Sequence, residues 1–308
     1  MRITLPPLGF GGAPLGNMFQ PLDEATADAT LKAAWEAGIR YYDTSPHYGA
    51  GLAEQRFGRL LSHKPRNEFV LSTKVGRLLR PASAPENAKP FVDELPNKRV
   101  VDYSADGARR SIEDSLERMG VDRIDVAFIH DVSEDQWGAQ WTEYFQQAMN
   151  GAAKALTHMR EEGLIRGWGL GVNLVEPCRL ALEQSDPDVF LLAGRYSLLD
   201  HRESLDTLFP QCVERGVGIV VGGPSTPACW PVASTTITPT RLTRSARGRR
   251  PSRPYAASSA WISVPRRCSS AWPTPRCCPP SPAPATRGAR RSTCSRPKPK
   301  YRPRSGGH

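Results

Sequence analysis

Four residues of unlike chemistry, Asp43, Tyr48, Lys74 and His130, stand at or just after the ends of successive short apolar runs. A carboxylate, a phenol, an ammonium and an imidazole brought to one place suit proton transfer coupled to hydride transfer. A phenol with its ordinary pKa of about 10 is a poor base at neutral pH, but a neighbouring ammonium favours the phenolate. Each unit of depression corresponds to roughly 1.4 kcal/mol of differential stabilisation. In this reading Lys74 supplies the charge to Tyr48, and Asp43 keeps Lys74 protonated and in place. A neutral His130 donates to the substrate oxygen and orients it. Taken singly each has a duller reading: a strand-end Asp caps a turn, a lone Lys is solvated, a buried His is structural. The joint pattern is what points to chemistry.

Positioning four such residues requires strand ends that converge. Strand-like runs occur at 8–10, 41–43, 69–74, 124–130, 167–172, 189–192 and 218–221. Segments of helical period lie at 23–37, 52–61, 105–119, 139–162, 177–184 and 205–215, several ending at glycines such as Gly38, Gly120, Gly163 and Gly216. This alternation predicts repeated βα units and a parallel sheet. Seven such strands are one short of a closed (β/α)8 barrel, in which all strand C-terminal ends meet on one face. The alternative is a doubly wound open sheet with a Gly-rich dinucleotide loop after an early strand. Phe10-Gly11-Gly12-Ala13-Pro14-Leu15-Gly16 lacks that form, and its glycines are read as permitting a tight turn. Residues 77–103 are too long for an ordinary βα connection; they serve the active site or form a mobile surface insertion.

Particular stretches resemble a known family. Gly38-Ile39-Arg40-Tyr41-Tyr42-Asp43-Thr44-Ser45-Pro46-His47-Tyr48-Gly49, then Glu54, then Leu71-Ser72-Thr73-Lys74-Val75-Gly76, then Asp125-Val126-Ala127-Phe128-Ile129-His130-Asp131 resemble the aldo-keto reductases. The resemblance runs from about Leu8 to Pro224. It implies an incomplete α/β TIM barrel with seven recognisable strands and a catalytic tetrad of Asp43, Tyr48, Lys74 and His130, with Tyr48 as proton donor or acceptor. It also implies that Asn173 binds the nicotinamide carboxamide of NAD or NADP. Tyr196 is expected to stack on the ring, and Gly222 and Gly223 to lie against the cofactor. Arg195 has no role assigned by the pattern. Within the family, residues 191–199 and 220–224 look most like the bacterial aldose dehydrogenases and pyridoxal dehydrogenases. That implies oxidation of an aldose such as L-fucose or D-arabinose to its lactone. A reductase of small aldehydes or ketones, a pyridoxal dehydrogenase, and a nicotinamide-binding barrel without turnover are the other readings.

The resemblance stops after Pro224. Residues 225–308 hold 15 Arg, 15 Pro, 2 Lys, one Leu and no acidic residue. That stretch is +17 in a chain of +10, so residues 1–224 are net −7: an acidic body carries a basic tail. A segment of this kind cannot bury enough apolar surface to offset its ordering entropy, and is expected to be disordered. Residues 225–233 and 272–284 can be reread in a shifted frame as continuations of the family pattern. A frameshift close to Pro224 is therefore expected, dividing the chain into a partial barrel at 1–224 and an out-of-frame tail at 225–308. The competing reading is a native tail that binds nucleic acid, stacking Trp230, Tyr255, Trp261 and Trp272 on bases. High-GC coding sequence read out of frame gives the same composition, so no nucleic-acid partner is expected.

No apolar run approaches the ~18 residues of a membrane span, and the body is expected to be cytoplasmic, a monomer or homodimer without membrane partners. Only Cys178 and Cys212 fall in it, without metal-ligand spacing.

Overall fold

The computed structural model describes residues 4–197 and 199–223, and 260–264 as a backbone strand. Seven strands run parallel around a barrel in the order β1 (Leu8–Gly11), β2 (Tyr41–Asp43), β3 (Val70–Val75), β6 (Val126–His130), β7 (Gly167–Val172), β8 (Val189–Ala193) and β9 (Gly218–Gly222). The two missing numbers belong to an antiparallel hairpin, β4 (Arg77–Pro81) and β5 (Asn97–Val101), a separate two-stranded sheet. Outside the strands lie α1 (Glu24–Glu36), α2 (Leu52–Leu61), α3 (Ala105–Met119), α4 (Glu134–Trp137), α5 (Trp141–Asn150), α6 (Ala152–Glu161), α7 (Glu176–Gln184) and α8 (Phe209–Arg215).

Local chemistry sets the helix ends. Asp23 caps α1 by accepting from the Thr26 N–H at 2.8 Å, and Ser104 caps α3 by accepting from the Gly107 N–H at 3.0 Å. Gly120 and Gly216 stop α3 and α8 in the left-handed region.

The two-residue period of the strands divides their side chains into two layers. Tyr41, Val70, Val126, Phe128, Val189, Leu191 and Val220 form one cluster, which fills the barrel interior. Tyr42, Leu71, Ala127, Ile129, Phe190, Leu192 and Val221 face outward and pack with Leu31, Phe57, Ile112, Leu156 and Leu182 of the helices. Each such large apolar side chain contributes about 1.5–3 kcal/mol by leaving water. The inner rows continue beyond the apolar plug. Asp43 follows Tyr41 by two residues, Lys74 follows Val70 by four, and His130 follows Phe128 by two, so all three top the interior face.

The seven strands read from the sequence are the seven parallel strands of the barrel, and between the last and the first stands β10 (Ala260–Val264), antiparallel to both neighbours, with Ile262 opposite Val221 on β9 and Leu8 on β1. The open edges of β1 and β9 offer unpaired N–H and C=O groups, and Ala-Trp-Ile-Ser-Val is rich in residue types that favour strands. The remaining calls on the tail, its disorder and the frameshift included, lie outside the described residues. One expectation is corrected: the helix expected at 139–162 is broken into α5 and α6 at Gly151 (φ −108°, ψ −87°). A Cβ there would lie 2.5 Å from the Tyr103 carbonyl, which accepts the Ala152 N–H at 2.9 Å. The long connection at 77–103 is largely the β4–β5 hairpin and its tip.

Among the described residues, no helix is long and apolar enough to cross a membrane, and no group of three His, Cys, Asp or Glu is placed to hold a metal ion.

Candidate active site

The rim at the C-terminal ends of the strands holds a buried ion pair. Lys74 Nζ donates to Asp43 Oδ2 at 2.7 Å and to the Thr44 carbonyl at 2.8 Å. Ser72 Oγ donates to the other carboxylate oxygen of Asp43 at 2.7 Å and lies 3.1 Å from the Tyr41 hydroxyl. Gly171, on β7, leaves room for the lysine: a Cβ there would come within 3.4 Å of Lys74 Cε.

Tyr48 reaches the same spot from a single turn after β2. Gly49, Ala50 and Gly51 all take positive φ, which lets the chain leave β2, present Tyr48 and enter α2 within a few residues. The Gly12–Gly16 loop packs against it; a Cβ on Gly16 would lie 2.5 Å from the Tyr48 carbonyl carbon. The Lys74 ammonium is 4.7 Å from the centroid of the buried Tyr48 ring. His130 packs edge-on to that ring at 5.9 Å between centroids. Its Nδ1 is 3.2 Å from Ser45 Oγ, and its carbonyl accepts from the Tyr103 hydroxyl at 2.7 Å.

Burial dominates the electrostatics. It opposes the charge on Lys74, but Asp43 and Tyr48 outweigh it and raise the lysine above its ordinary 10.5. Burial raises Asp43, with Lys74 and Ser72 opposing. Burial and the charges of Arg77 and Lys74 hold His130 well below 6.5, so the ring is neutral. The expectation for Tyr48 is corrected: its pKa stands above 10, not below, because burial exceeds the pull of Lys74 and the Asp43 carboxylate adds to it. The resting site holds a protonated phenol.

The remaining candidates sit on neighbouring strand ends. His130 pairs with Gly171, Val172 with Leu192, and Ala193 with Gly222, so the ends of β6 to β9 follow one another around the rim. Asn173 is exposed; its amide donates to Asp135 at 2.8 Å, and its carbonyl accepts from Arg195 Nε at 2.7 Å. Tyr196 is partly buried against Phe209, ring centroids 4.9 Å apart. Gly222 accepts from the Gly194 N–H at 2.8 Å, and Gly223, at φ +56°, has no atom of the described residues within 4 Å of where a Cβ would stand. Glu54, part of the same motif, is structural: it binds Thr73 Oγ1 at 2.8 Å and Arg118 Nε at 2.6 Å.

Sequence reasoning missed several neighbours. Arg77 and Asp131 form a buried ion pair at 2.9 Å, beside His130. Phe91, from the hairpin tip, packs on Tyr48 at 5.8 Å and on His47 at 5.2 Å. Asp131 and His47 lay inside the quoted motifs, so their adjacency to His130 and Tyr48 was the available signal. Arg77 and Phe91 carried none, since only the folded hairpin brings them to the rim.

Residues 7–226 match the Aldo/keto reductase family. Over 225 residues the chain is 41% identical to a D-threo-aldose 1-dehydrogenase of Pseudomonas sp, covering 71% of this chain and 65% of that one. Over 235 residues it is 40% identical to a pyridoxal 4-dehydrogenase of Microbacterium luteolum, covering 72% and 67%. The chain thus spans about two thirds of the length of these relatives. Among solved structures, an aldo-keto reductase from Bacillus halodurans in its holo form superposes with a TM-score of 0.54 at 28% identity, covering 76% of this chain and 66% of that one.

Proposed function

Because this chain belongs to the aldo/keto reductase family, we propose that its rim site serves oxidation of an aldose at C1, with L-fucose and D-arabinose as substrates and a lactone as product. The observation that carries the reading is the buried Asp43–Lys74 pair at 2.7 Å with its ammonium 4.7 Å from the Tyr48 ring. Similarity to a D-threo-aldose dehydrogenase supports the substrate class.

The residues present fit the nicotinamide end of NAD or NADP. Thr44 Oγ1 is buried without a hydrogen-bond partner among the described residues. Asn173 is exposed and gives only one amide hydrogen to Asp135, and Tyr196 supplies a partly buried ring on the next strand end. Asn173, Tyr196, Gly222 and Gly223 would hold it. When bound, it supplies the hydride acceptor or donor. The chain's own residues manage the proton. Tyr48 exchanges it with the substrate oxygen, Lys74 favours the charged phenolate once it forms, and Asp43 keeps Lys74 charged. Neutral His130 donates a hydrogen bond that orients the oxygen. The buried, half-apolar surroundings strengthen each of these interactions.

The family resemblance implies that the adenosine end of the cofactor is held by residues after the seventh barrel strand, β9 here, where residues 225 onward depart from the family pattern. We infer that cofactor affinity and turnover are impaired in this chain and return when the in-frame continuation is restored. The protonated state of Tyr48 also favours a second reading, reduction of small aldehydes by the same residues.

Both forms, incubated with L-fucose, D-arabinose and pyridoxal and followed by nicotinamide absorbance, test the proposal. The restored form should reduce nicotinamide with the aldoses. Turnover with pyridoxal alone would refute the aldose assignment, and equal activity of the two forms would refute the impairment. In the restored form, Tyr48→Phe should lower turnover by about 100- to 10,000-fold while nicotinamide affinity persists. Unchanged turnover in that variant would exclude the assigned chemistry.

A further inference from the structure

Arg77 and Asp131 spend a buried ion pair beside the reacting groups without entering the proton chemistry. Arg77 Nη1 donates to Asp131 Oδ2 at 2.9 Å, with the two side chains 5% and 13% exposed. That same carboxylate oxygen lies 3.4 Å from His130 Nε2. Asp131 directly follows His130 and takes φ +53°, a conformation uncommon outside glycine that Asp tolerates better than most and that neighbouring groups can hold. Here they do: its N–H donates to the Gly171 carbonyl at 2.9 Å, and its carbonyl accepts from Trp137 Nε1 at 2.7 Å. The backbone is thus fixed so that the carboxylate stands next to the imidazole.

Two polar atoms in this neighbourhood, Arg77 Nη2 and His47 Nδ1, are buried without partners among the described residues. The His47 ring is 5.8 Å from that of His130 and directly precedes Tyr48 in the chain. A buried donor or acceptor left unpaired is costly, and a buried ion pair is seldom more stable than apolar residues of the same volume. Stability therefore does not account for this grouping. A ligand that brings hydroxyls would satisfy it, whereas a simple apolar aldehyde would leave it unpaired.

We propose that Arg77, Asp131 and His47 form a hydroxyl-recognition site for the part of the sugar next to the reacting carbon. Arg77 Nη2 donates to one hydroxyl, Asp131 accepts from it or its neighbour, and His47 Nδ1 closes the set. The site makes the enzyme selective for polyhydroxylated over plain aldehydes, because an analogue lacking the hydroxyl leaves buried charges unpaired. This inference rests on the aldose reading above.

Calorimetric titration of the full chain with L-fucose and with its 2-deoxy and 3-deoxy analogues tests it without requiring turnover. At least one deoxy analogue should bind about 10- to 100-fold more weakly than L-fucose, as expected for a hydrogen bond to a charged group. The double variant Arg77→Met with Asp131→Asn leaves no lone buried charge and should abolish that difference. Where it does not fold, Arg77→Lys, which keeps a charge for Asp131 but lacks the second fork nitrogen, should narrow the difference. Equal binding of all three sugars, or a deoxy penalty that persists in the variants, overturns the hydroxyl site alone. Failure of L-fucose to bind while pyridoxal binds, or while nothing binds, overturns the aldose reading and this inference with it.

Discussion

Lys74 donates to Asp43 across 2.7 Å at a depth where each side chain is only 1% exposed. Taking two charges out of water costs several kcal/mol per ion, and only close geometry with further hydrogen bonds offsets it. Ser72 and the Thr44 carbonyl supply those bonds, so the pair is a fixed part of the rim.

Removing one partner should therefore cost far more than removing both. Asp43→Asn leaves the ammonium facing a neutral amide, and a loss of about 3–5 kcal/mol in urea unfolding is expected. Asp43→Asn combined with Lys74→Met should lose less than the sum of the single variants. Strict additivity would show that the two charges do not depend on each other.

Stability should fall on mild acidification. His47 is pushed down to about 2, by burial first and then by Arg77, and His130 well below 6.5. Unfolded imidazoles take up protons below about 6.5 while these stay neutral, so the stabilisation is present above that pH and is lost as pH drops beneath it. The slope should approach roughly 1.4 kcal/mol per pH unit for each histidine. Unfolding free energies measured from pH 7 to 5 check this, and His47→Gln should flatten the curve. A pH-independent stability over that range would contradict the buried neutral assignment.

The raised pKa of Tyr48 gives the two directions of reaction opposite pH dependence. The phenol is protonated through neutrality, so reduction should hold steady until the pH passes 10, while oxidation should climb with rising pH. In Tyr48→Phe both should drop by about 100- to 10,000-fold, the range typical of general acid–base catalysis. Oxidation that peaks below pH 7 would count against Tyr48 as the proton acceptor.

Gly76 connects β3 to the hairpin at φ +108°, and a Cβ there would lie 2.2 Å from the Tyr103 ring, whose hydroxyl holds the His130 carbonyl. Gly76→Ala should destabilise the fold by about 1–3 kcal/mol through the backbone conformation and the clash together. It should also disturb the His130 imidazole resonance in NMR spectra. An unshifted resonance would mean that Tyr103 does not position His130.

Arg195 bridges two strand ends, donating to the Asn173 carbonyl at 2.7 Å and to Asp200 at 2.9 Å. The Asp200 pair is largely solvated and contributes little, whereas the bond to the backbone orients Asn173. Arg195→Leu should weaken nicotinamide binding several-fold in a fluorescence titration and leave the pH profile of turnover in place. Unchanged affinity would reduce Arg195 to a loop tether.

Much of this protein was legible in the chain itself. Short apolar runs placed β2, β3 and β6 with Asp43, Lys74 and His130 at their ends, because an apolar run bounded by turn residues is a local signal and parallel strands share one end. Helix ends were legible in the glycines that follow them, Gly120 closing α3 and Gly216 closing α8. Tertiary structure decided what depends on residues distant in sequence. The β4–β5 hairpin brings Arg77 to Asp131 and Phe91 to Tyr48; Tyr103 breaks a helix at Gly151; and β10 closes the barrel antiparallel to its neighbours. The sign of the Tyr48 shift belongs to this second group, because residue types name the charges nearby while only the packing around them fixes how much water is lost.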